Sequence, residues 1–173
     1  MRQTRSMTGR LAASASRITA KQAAMAAGVA ALLAVAAPAR AQEVHDHNLA
    51  PYTIKDYAID KSLTGKPGDP AEGRKWAITS GQGNCVICHR LPIPEVAFRI
   101  GNIGPDLSEV GGRLSAADIR MRIVNPKVVN PDTIMPAYYR IDGLNRVQKK
   151  FEGKPILTAQ QVEDLVAYLS SLK

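Results

Sequence analysis

The sequence predicts an all-α protein in which a few short helices are joined by long loops rich in glycine and proline. Three stretches open with residues that cap helix N-termini, at Asp69, Ser115 and Thr158. No stretch shows sustained alternation of apolar and polar residues, which argues against a substantial sheet. Residues 91–112 and 125–157 are rich in glycine and proline, and they predict the irregular segments between the helices.

The first helix is predicted to run from Pro70 to about residue 80. Asp69 can cap it, Pro70 suits the first helical position, and Glu72 stands where it would complete a capping box with Asp69. We expect this helix to turn three apolar side chains inward, namely Trp76, Ala77 and Ile78.

The second and third helices have similar N-terminal signals. Ser115 and Asp118 form a capping box at the start of the second helix, which the Asn125–Pro126 pair ends. The third helix begins at Thr158 and reaches the C-terminus with an amphipathic stripe of Val162, Leu165, Val166 and Leu169. We expect this stripe to cross the first helix, because neither helix can bury its apolar face alone.

The net charge of +8 suggests a nucleic-acid-binding protein until the charges are located. Six of the 23 basic side chains lie in residues 1–41, which contain no acidic residue. Residues 42–173 therefore carry 17 basic and 15 acidic side chains, a net charge of only +2. This balance argues against nucleic-acid binding.

Residues 1–41 have the three regions of a secretory signal peptide. A cationic start precedes an uncharged run of 15 residues from Ala23 to Ala37, and cleavage is expected after Ala41. The run is shorter than the roughly 20 residues that span a bilayer, so a cleaved leader is favoured over a membrane anchor. A start at Met7 would give a more ordinary cationic stretch. The prediction is an exported, periplasmic chain with an extended arm or partner-binding strap at 42–68 and one domain at 69–173.

The chemistry is concentrated in a C-x-x-C-H motif. Cys85 and Cys88 are the only cysteines of the chain, and His89 follows directly. This spacing is the attachment signature of c-type haem, in which both thiols become thioethers and the histidine binds the iron. A thioredoxin-like pair would need a preceding βαβ pattern, which the sequence does not show. A zinc site would need four protein ligands, and the whole chain offers only two cysteines and three histidines for it. The motif predicts one covalently attached haem c, with His89 as an iron ligand.

Two methionines outside the leader compete for the sixth iron position. Met121 lies between two arginines in a helical stretch, which is typical of a surface or gap-filling methionine. Met135 lies in a short segment between two prolines, a stiff loop that can hold one side chain over a haem face. Met135 is therefore the favoured ligand. Ligation by His45 or His47 and an open position are the alternatives.

The axial ligands determine which chemistry is available. A thioether favours Fe(II), so a His/Met pair raises the reduction potential. An iron with both axial positions filled exchanges electrons without binding substrate. An open position would instead imply gas binding or peroxidase chemistry.

Four segments resemble class I cytochromes c and, among them, the SoxX family of monohaem subunits in the SoxAX cytochromes of bacterial sulfur oxidation. The resemblance covers about residues 69–173. Its segments are Gly83–His89 (GNCVICH), Ile103–Leu107 (IGPDL), Thr133–Tyr139 (TIMPAYY) and Pro155–Asp164 (PILTAQQVED).

The resemblance implies a class I cytochrome c-like fold, with short helices around the haem, and a role for each site residue. Cys85 and Cys88 would anchor the haem, His89 would be the proximal iron ligand and Met135 the distal one. The carbonyl of Pro105 would accept a hydrogen bond from the other ring nitrogen of His89, which fixes the ring.

The resemblance also implies a heterodimer with SoxA that joins thiosulfate oxidatively to a cysteine of the SoxYZ carrier. This chain would accept electrons and pass them to a small soluble cytochrome c. Because haem attachment uses both cysteines, we expect no catalytic residue in this subunit. The alternative functions are a free-standing periplasmic electron carrier and, less favoured, a ligand-binding haem sensor or peroxidase.

Overall fold

A computed structural model describes residues 41–44 and 49–173. The predicted signal peptide before Ala41 lies outside the described residues, as do His45 and His47. The strands are β1 (Gln42–Val44) and β2 (Tyr52–Ile54), and the α-helices are α1 (Pro70–Ile78), α2 (Val110–Arg113), α3 (Ala116–Val124) and α4 (Ala159–Ser171). Short 3₁₀ segments occupy Cys85–Ile87, Pro94–Arg99, Pro126–Val128 and Lys149–Phe151.

The fold is mainly α-helical with long irregular segments, as predicted, and the three expected helices begin at their expected caps. The box at α3 is reciprocal, because Asp118 N–H donates to Ser115 Oγ at 3.1 Å and Ser115 N–H donates to Asp118 Oδ2 at 3.2 Å. Thr158 and Gln161 form the same arrangement at α4. These caps satisfy backbone N–H groups that a helix start leaves without partners.

The start of α1 differs from its predicted capping box. The carboxylate of Asp69 caps the helix and accepts from Ala71 N–H at 2.8 Å. The N–H of Asp69, however, donates to Asp164 Oδ1 on α4 at 3.0 Å rather than to Glu72. Tertiary packing against α4 thus replaces the local partner. The helix also ends at Ile78, slightly before the predicted residue 80.

The predicted crossing of α1 and α4 is present and depends on a glycine. A Cβ on Gly73 would overlap the carbonyl of Asp164 and lie 2.8 Å from Tyr168 Cβ. The missing side chain therefore lets the two helix backbones approach closely. The predicted apolar stripe of α4 is buried at this crossing and along the core. Its residues are Val162, Leu165, Val166 and Leu169.

The arm at 42–68 contributes to the same core. β1 and β2 form a short antiparallel pair, with Gln42 opposite Ile54 and Val44 opposite Tyr52. Beyond β2, the N–H of Ile59 donates to the carbonyl of Ala117 on α3 at 3.3 Å. The buried apolar side chains of the described part of the arm are Leu49, Tyr52, Ile54, Ile59 and Leu63.

A buried ion pair joins the arm to α3 and α4. Arg120 donates through Nε and Nη2 to the two carboxylate oxygens of Glu163, both at 2.9 Å, and the side chains are only 7% and 4% exposed. Arg120 Nη1 also donates to the carbonyl of Ile59 at 2.7 Å, and Leu63 N–H donates to Glu163 at 2.9 Å. Because both charges have several partners, the pair can remain buried.

Within the described residues, no helix has the length and apolar character needed to cross a membrane.

Candidate haem site

The C-x-x-C-H motif winds into a tight turn directly after α1. Asn84 takes a left-handed backbone conformation (φ 45°) and starts a 3₁₀ segment. The N–H groups of Cys88 and His89 then donate to the carbonyl of Cys85 at 3.2 and 2.9 Å. This winding brings three side chains to the wall of one cavity, those of Cys85, Cys88 and His89.

The imidazole of His89 is held from one side by the loop at 101–105. Its Nδ1 lies 2.7 Å from the carbonyl oxygen of Pro105. Because a carbonyl oxygen only accepts, Nδ1 carries the proton and Nε2 keeps the lone pair that a metal ligand needs. Gly104 lies directly against the ring, since a Cβ there would come within 2.8 Å of Nε2 and closer still to two other ring atoms. The N–H of Gly104 donates to the carbonyl of Cys88 at 2.8 Å, which fixes the loop to the motif.

The cavity has a volume of about 600 Å³ and a mostly apolar wall. That volume lies within the range of small-molecule and cofactor sites. Among the described residues that line it, the charged side chains are Arg113 and Arg122, and none is a carboxylate. Arg113 donates to the carbonyl of Asp106 at 2.6 Å, and Arg122 donates to the carbonyl of Asp118 at 3.0 Å. The site therefore combines an apolar interior with two cations.

Met135 lines the same cavity on a loop that several hydrogen bonds fasten. Its N–H donates to Thr133 Oγ1 at 3.2 Å, and Lys127 Nζ donates to the carbonyl of Thr133. On the other side of Met135, the N–H of Tyr138 donates to the carbonyl of Ile123 near the end of α3 at 3.0 Å. The loop is thus anchored at both ends, and the side chain between them is held at the cavity wall.

The competing methionine lies elsewhere. Met121 is fully buried, at 0% exposure, and it does not line the cavity. It belongs to the core cluster, so of the two roles predicted for it the gap-filling one is confirmed and the surface one is wrong.

The environment of the Cys85 thiol disfavours the thiolate form. Cys85 and Cys88 form no disulfide. Burial raises the pKa of the Cys85 thiol to about 12. Redox-active cysteines have a lowered pKa and an electropositive, partly exposed setting, so this pair does not resemble a thioredoxin-like centre. Burial also raises the pKa of the Tyr138 hydroxyl, which lines the same cavity.

Comparison with known proteins places this geometry in a family. The cytochrome c family matches residues 70–173, which is more than half of the chain. The chain belongs to the cytochrome c family.

Solved structures give a closer comparison for this cytochrome. The chain is similar to a chain of the SoxXA structure from P. pantotrophus, with 42% sequence identity and a TM-score of 0.65. The match covers 70% of this chain and 94% of that one. The c-type cytochrome SorU from Sinorhizobium meliloti is 23% identical with a TM-score of 0.39, over 60% of this chain and 88% of that one. Comparison with curated proteins gives no match.

The residues of this cytochrome fit a covalently bound haem. Proteins of the family carry haem c attached through cysteine thioethers. Here two cysteine thiols, an imidazole with a free Nε2 and a methionine thioether meet at one apolar cavity. Haem also carries two propionate carboxylates, and Arg113 and Arg122 are cations of the same cavity wall that suit them.

The structure brings all five sequence-predicted site residues of the cytochrome to this cavity, namely Cys85, Cys88, His89, Pro105 and Met135. Their roles toward a bound haem stay predictions. Sequence reasoning missed the two arginines of the wall. The sequence contained a signal that could have placed Arg122 at the site. Arg122 follows Ile119 by three residues, so both lie on one face of α3. Arg113 had no such signal, since α2 is only four residues long and was not predicted.

Proposed function

We propose that this chain is the electron-transfer subunit of a SoxAX-type complex that oxidises thiosulfate. The single observation that carries the proposal is the 42% identity over 94% of a chain of the SoxXA structure. The geometry adds support, because a histidine and a methionine line one mostly apolar cavity, as a His/Met-ligated haem would require.

In this proposal, one haem c is held by the residues of the C-x-x-C-H turn. Cys85 and Cys88 would form the thioether bonds, and Nε2 of His89 and the sulfur of Met135 would be the axial ligands. The hydrogen bond from His89 Nδ1 to Pro105 supports the assignment, because it fixes the ring and increases its basicity as a ligand. The bound haem supplies a one-electron Fe(III)/Fe(II) couple.

The protein residues then restrict that couple to electron transfer. His89 and Met135 would fill both axial positions, so substrate would have no open position. The wall of the cavity is mostly apolar, and the Met135 thioether would stabilise the reduced state. The chain has only two cysteines, and both would be bonded to haem. A thiosulfate-conjugating sulfur nucleophile must therefore come from another subunit.

The partners follow from the proposed complex. SoxA would form the heterodimer, the SoxYZ carrier would bring the cysteine that receives thiosulfate, and a small soluble cytochrome c would accept the electrons. The predicted signal peptide at 1–41 supports export to the periplasm, where the thiosulfate chemistry would take place.

The axial ligand is tested by removing each methionine sulfur in turn. Met135→Leu in the haem-loaded protein should abolish the sulfur-to-iron charge-transfer band of the ferric state and lower the reduction potential, because leucine keeps the bulk but has no thioether. Met121→Leu is the matched control, since it removes a thioether that lies outside the cavity. An unchanged ferric spectrum in Met135→Leu would assign the sixth position to another group.

The complex is tested by reduction with thiosulfate. The haem-loaded chain should be reduced by thiosulfate only when SoxA and SoxYZ are both present, and each should be omitted in turn. A stable heterodimer on co-purification supports the proposal. Reduction of the isolated chain by thiosulfate alone would contradict it.

A further inference from the structure

A second cavity, of about 730 Å³, lies against the loop that carries Met135. Three residues of this loop, Ile134, Met135 and Pro136, line both cavities. The rest of its wall comes from the segment between Arg140 and Ile156 and from Lys127, Pro131 and Ala137. A molecule bound here would therefore be separated from the haem site by a single loop.

The charged side chains that line the second cavity are all basic among the described residues. Lys127, Arg140, Arg146 and Lys154 line it, and no acidic residue is in its wall among the described residues. We call this feature the basic groove, defined by these four cations. In a chain whose residues 42–173 have a net charge of only +2, four cations without a carboxylate form a local concentration of positive charge.

One cation of the basic groove is held in place before any ligand arrives. Arg140 pairs with Asp142 at 3.6 Å, and its guanidinium lies directly over Gly143, where a Cβ would collide with it. Gly143 has a φ of 60°, a conformation that suits glycine. Asp142 is 74% exposed, so water screens its charge and Arg140 remains available to an anionic partner.

Apolar side chains lie beside these cations. Ile134 is 79% exposed and Leu144 is 41% exposed, and both line the basic groove. Exposed apolar side chains surrounded by charged ones are typical of a protein docking site. The partner buries the apolar centre on binding, and the charges orient the partner.

A small anion is a poorer match for the basic groove than a protein surface. Arg146 and Lys154 are exposed, so each would bind a small anion in competition with water and salt. An acidic protein surface can engage all four cations together and cover Ile134 and Leu144 at the same time.

We propose that the basic groove docks an acidic electron-acceptor protein, which takes one electron from the reduced chain next to the Met135 loop. This inference rests on the proposed electron-transfer function and specifies the face and the charge of its acceptor. One electron leaves the reduced chain and one oxidised acceptor is reduced, and no bond forms or breaks and no proton moves.

The test uses paired charge reversals in the haem-loaded chain, with any partner subunit that purifies with it. The groove variant is Arg146→Glu with Lys154→Glu, and both positions are exposed. Within the described residues, neither side chain forms an ion pair with an acidic side chain. Lys61→Glu with Lys66→Glu makes the same change of charge at exposed positions outside both cavities. Lys127 is kept, because it supports the Met135 loop through Thr133.

The probe is an oxidised, acidic blue-copper protein, with electron transfer from the reduced chain followed by stopped flow. At about 10 mM ionic strength, where the Debye length is about 30 Å, the groove variant should be slower than wild type by about tenfold or more. At about 1 M salt the two rates should converge, because screening removes the steering. The control variant should stay within about threefold of wild type at low salt, because its charges lie outside the proposed docking face.

Four results would overturn the inference. These are an unchanged rate in the groove variant, an equal loss in the control variant, loss of a co-purifying subunit from the groove variant, and inhibition of the wild-type rate by millimolar sulfate at constant ionic strength. The third would assign the groove to a permanent interface, and the fourth to a small anion. The proposed function fails separately, if wild type does not transfer electrons to any acceptor.

Discussion

The contact between Gly104 and His89 allows a sharp test of how this fold holds the proposed proximal ligand. Gly104→Ala would add a methyl group within 2.8 Å of Nε2 and nearer still to Cε1 and Nδ1. Ordinary contacts between a carbon and another heavy atom lie at about 3.5–4.0 Å. The imidazole or the loop at 101–105 must therefore move by roughly 1 Å to admit the methyl group.

The magnitude has two parts. Adding a methyl group to a packed site costs about 1–3 kcal/mol through strain. Movement of the ring also weakens the hydrogen bond between His89 Nδ1 and Pro105, a loss of about 1 kcal/mol. The second loss reduces the basicity of the ligand nitrogen, so the axial bond of the haem should weaken as well.

Urea unfolding and the absorption spectrum of the haem-loaded protein measure both parts. Gly104→Ala should lower the free energy of unfolding by about 2–4 kcal/mol, because it adds strain and weakens a hydrogen bond. It should also shift the ferric spectrum, because the ligand ring moves. Gly112→Ala is the control, because its Cβ would meet only Lys173 Cα, at 4.0 Å. If both variants kept the stability and spectrum of wild type, the close packing of Gly104 against the ligand ring would be refuted.

Two further predictions concern the ion pairs. Arg120→Met should lower the free energy of unfolding by about 3–5 kcal/mol in urea titrations, because it leaves the buried carboxyl group of Glu163 without its guanidinium partner. The double variant with Glu163→Leu should recover most of that loss, and equal stability of both variants would contradict this account. The hydrogen bond from Arg74 holds the pKa of Glu95 below its usual value, so this pair stabilises the fold at neutral pH and is lost as the pH falls through that lowered pKa. The protection of the amides of residues 94–99, which is their exchange rate relative to the unstructured rate at the same pH, should therefore fall in acid in wild type and change less with pH in Glu95→Gln.

The helices were predictable because their signals are local. Ser115 and Thr158 cap the helices in which they occur, and the partners of each cap lie three residues away. The α1 start shows the limit of this reasoning, since the N–H of Asp69 bonds to Asp164, 95 residues later. The same limit applies to Arg120, whose partners Ile59 and Glu163 are 61 and 43 residues away. A sequence gives no spacing rule for contacts of that kind.

The candidate site was predictable for a different reason. Cys85, Cys88 and His89 are adjacent in the chain, so the motif contains its own geometry. Met135 was found by elimination among few methionines and by its flanking prolines. Arg113 and the second cavity could not be found in this way, because they depend on how the 91–112 and 125–157 segments fold, and Gly/Pro-rich segments have no period from which a direction can be inferred.

The Met135 loop separates the mostly apolar cavity from the basic groove, and this indicates how the proposed haem could exchange electrons with a partner that stays outside the cavity. One side of the loop faces the largely apolar cavity, where exclusion of water favours a stable axial thioether. The other side faces the basic groove, where charge can attract a partner from solution. A docked partner would contact Ile134 and Pro136, which lie directly beside the ligand residue, so it would not have to enter the cavity. Since Lys127 and Thr133 fasten this loop, the separation is built into the backbone and does not depend on the partner.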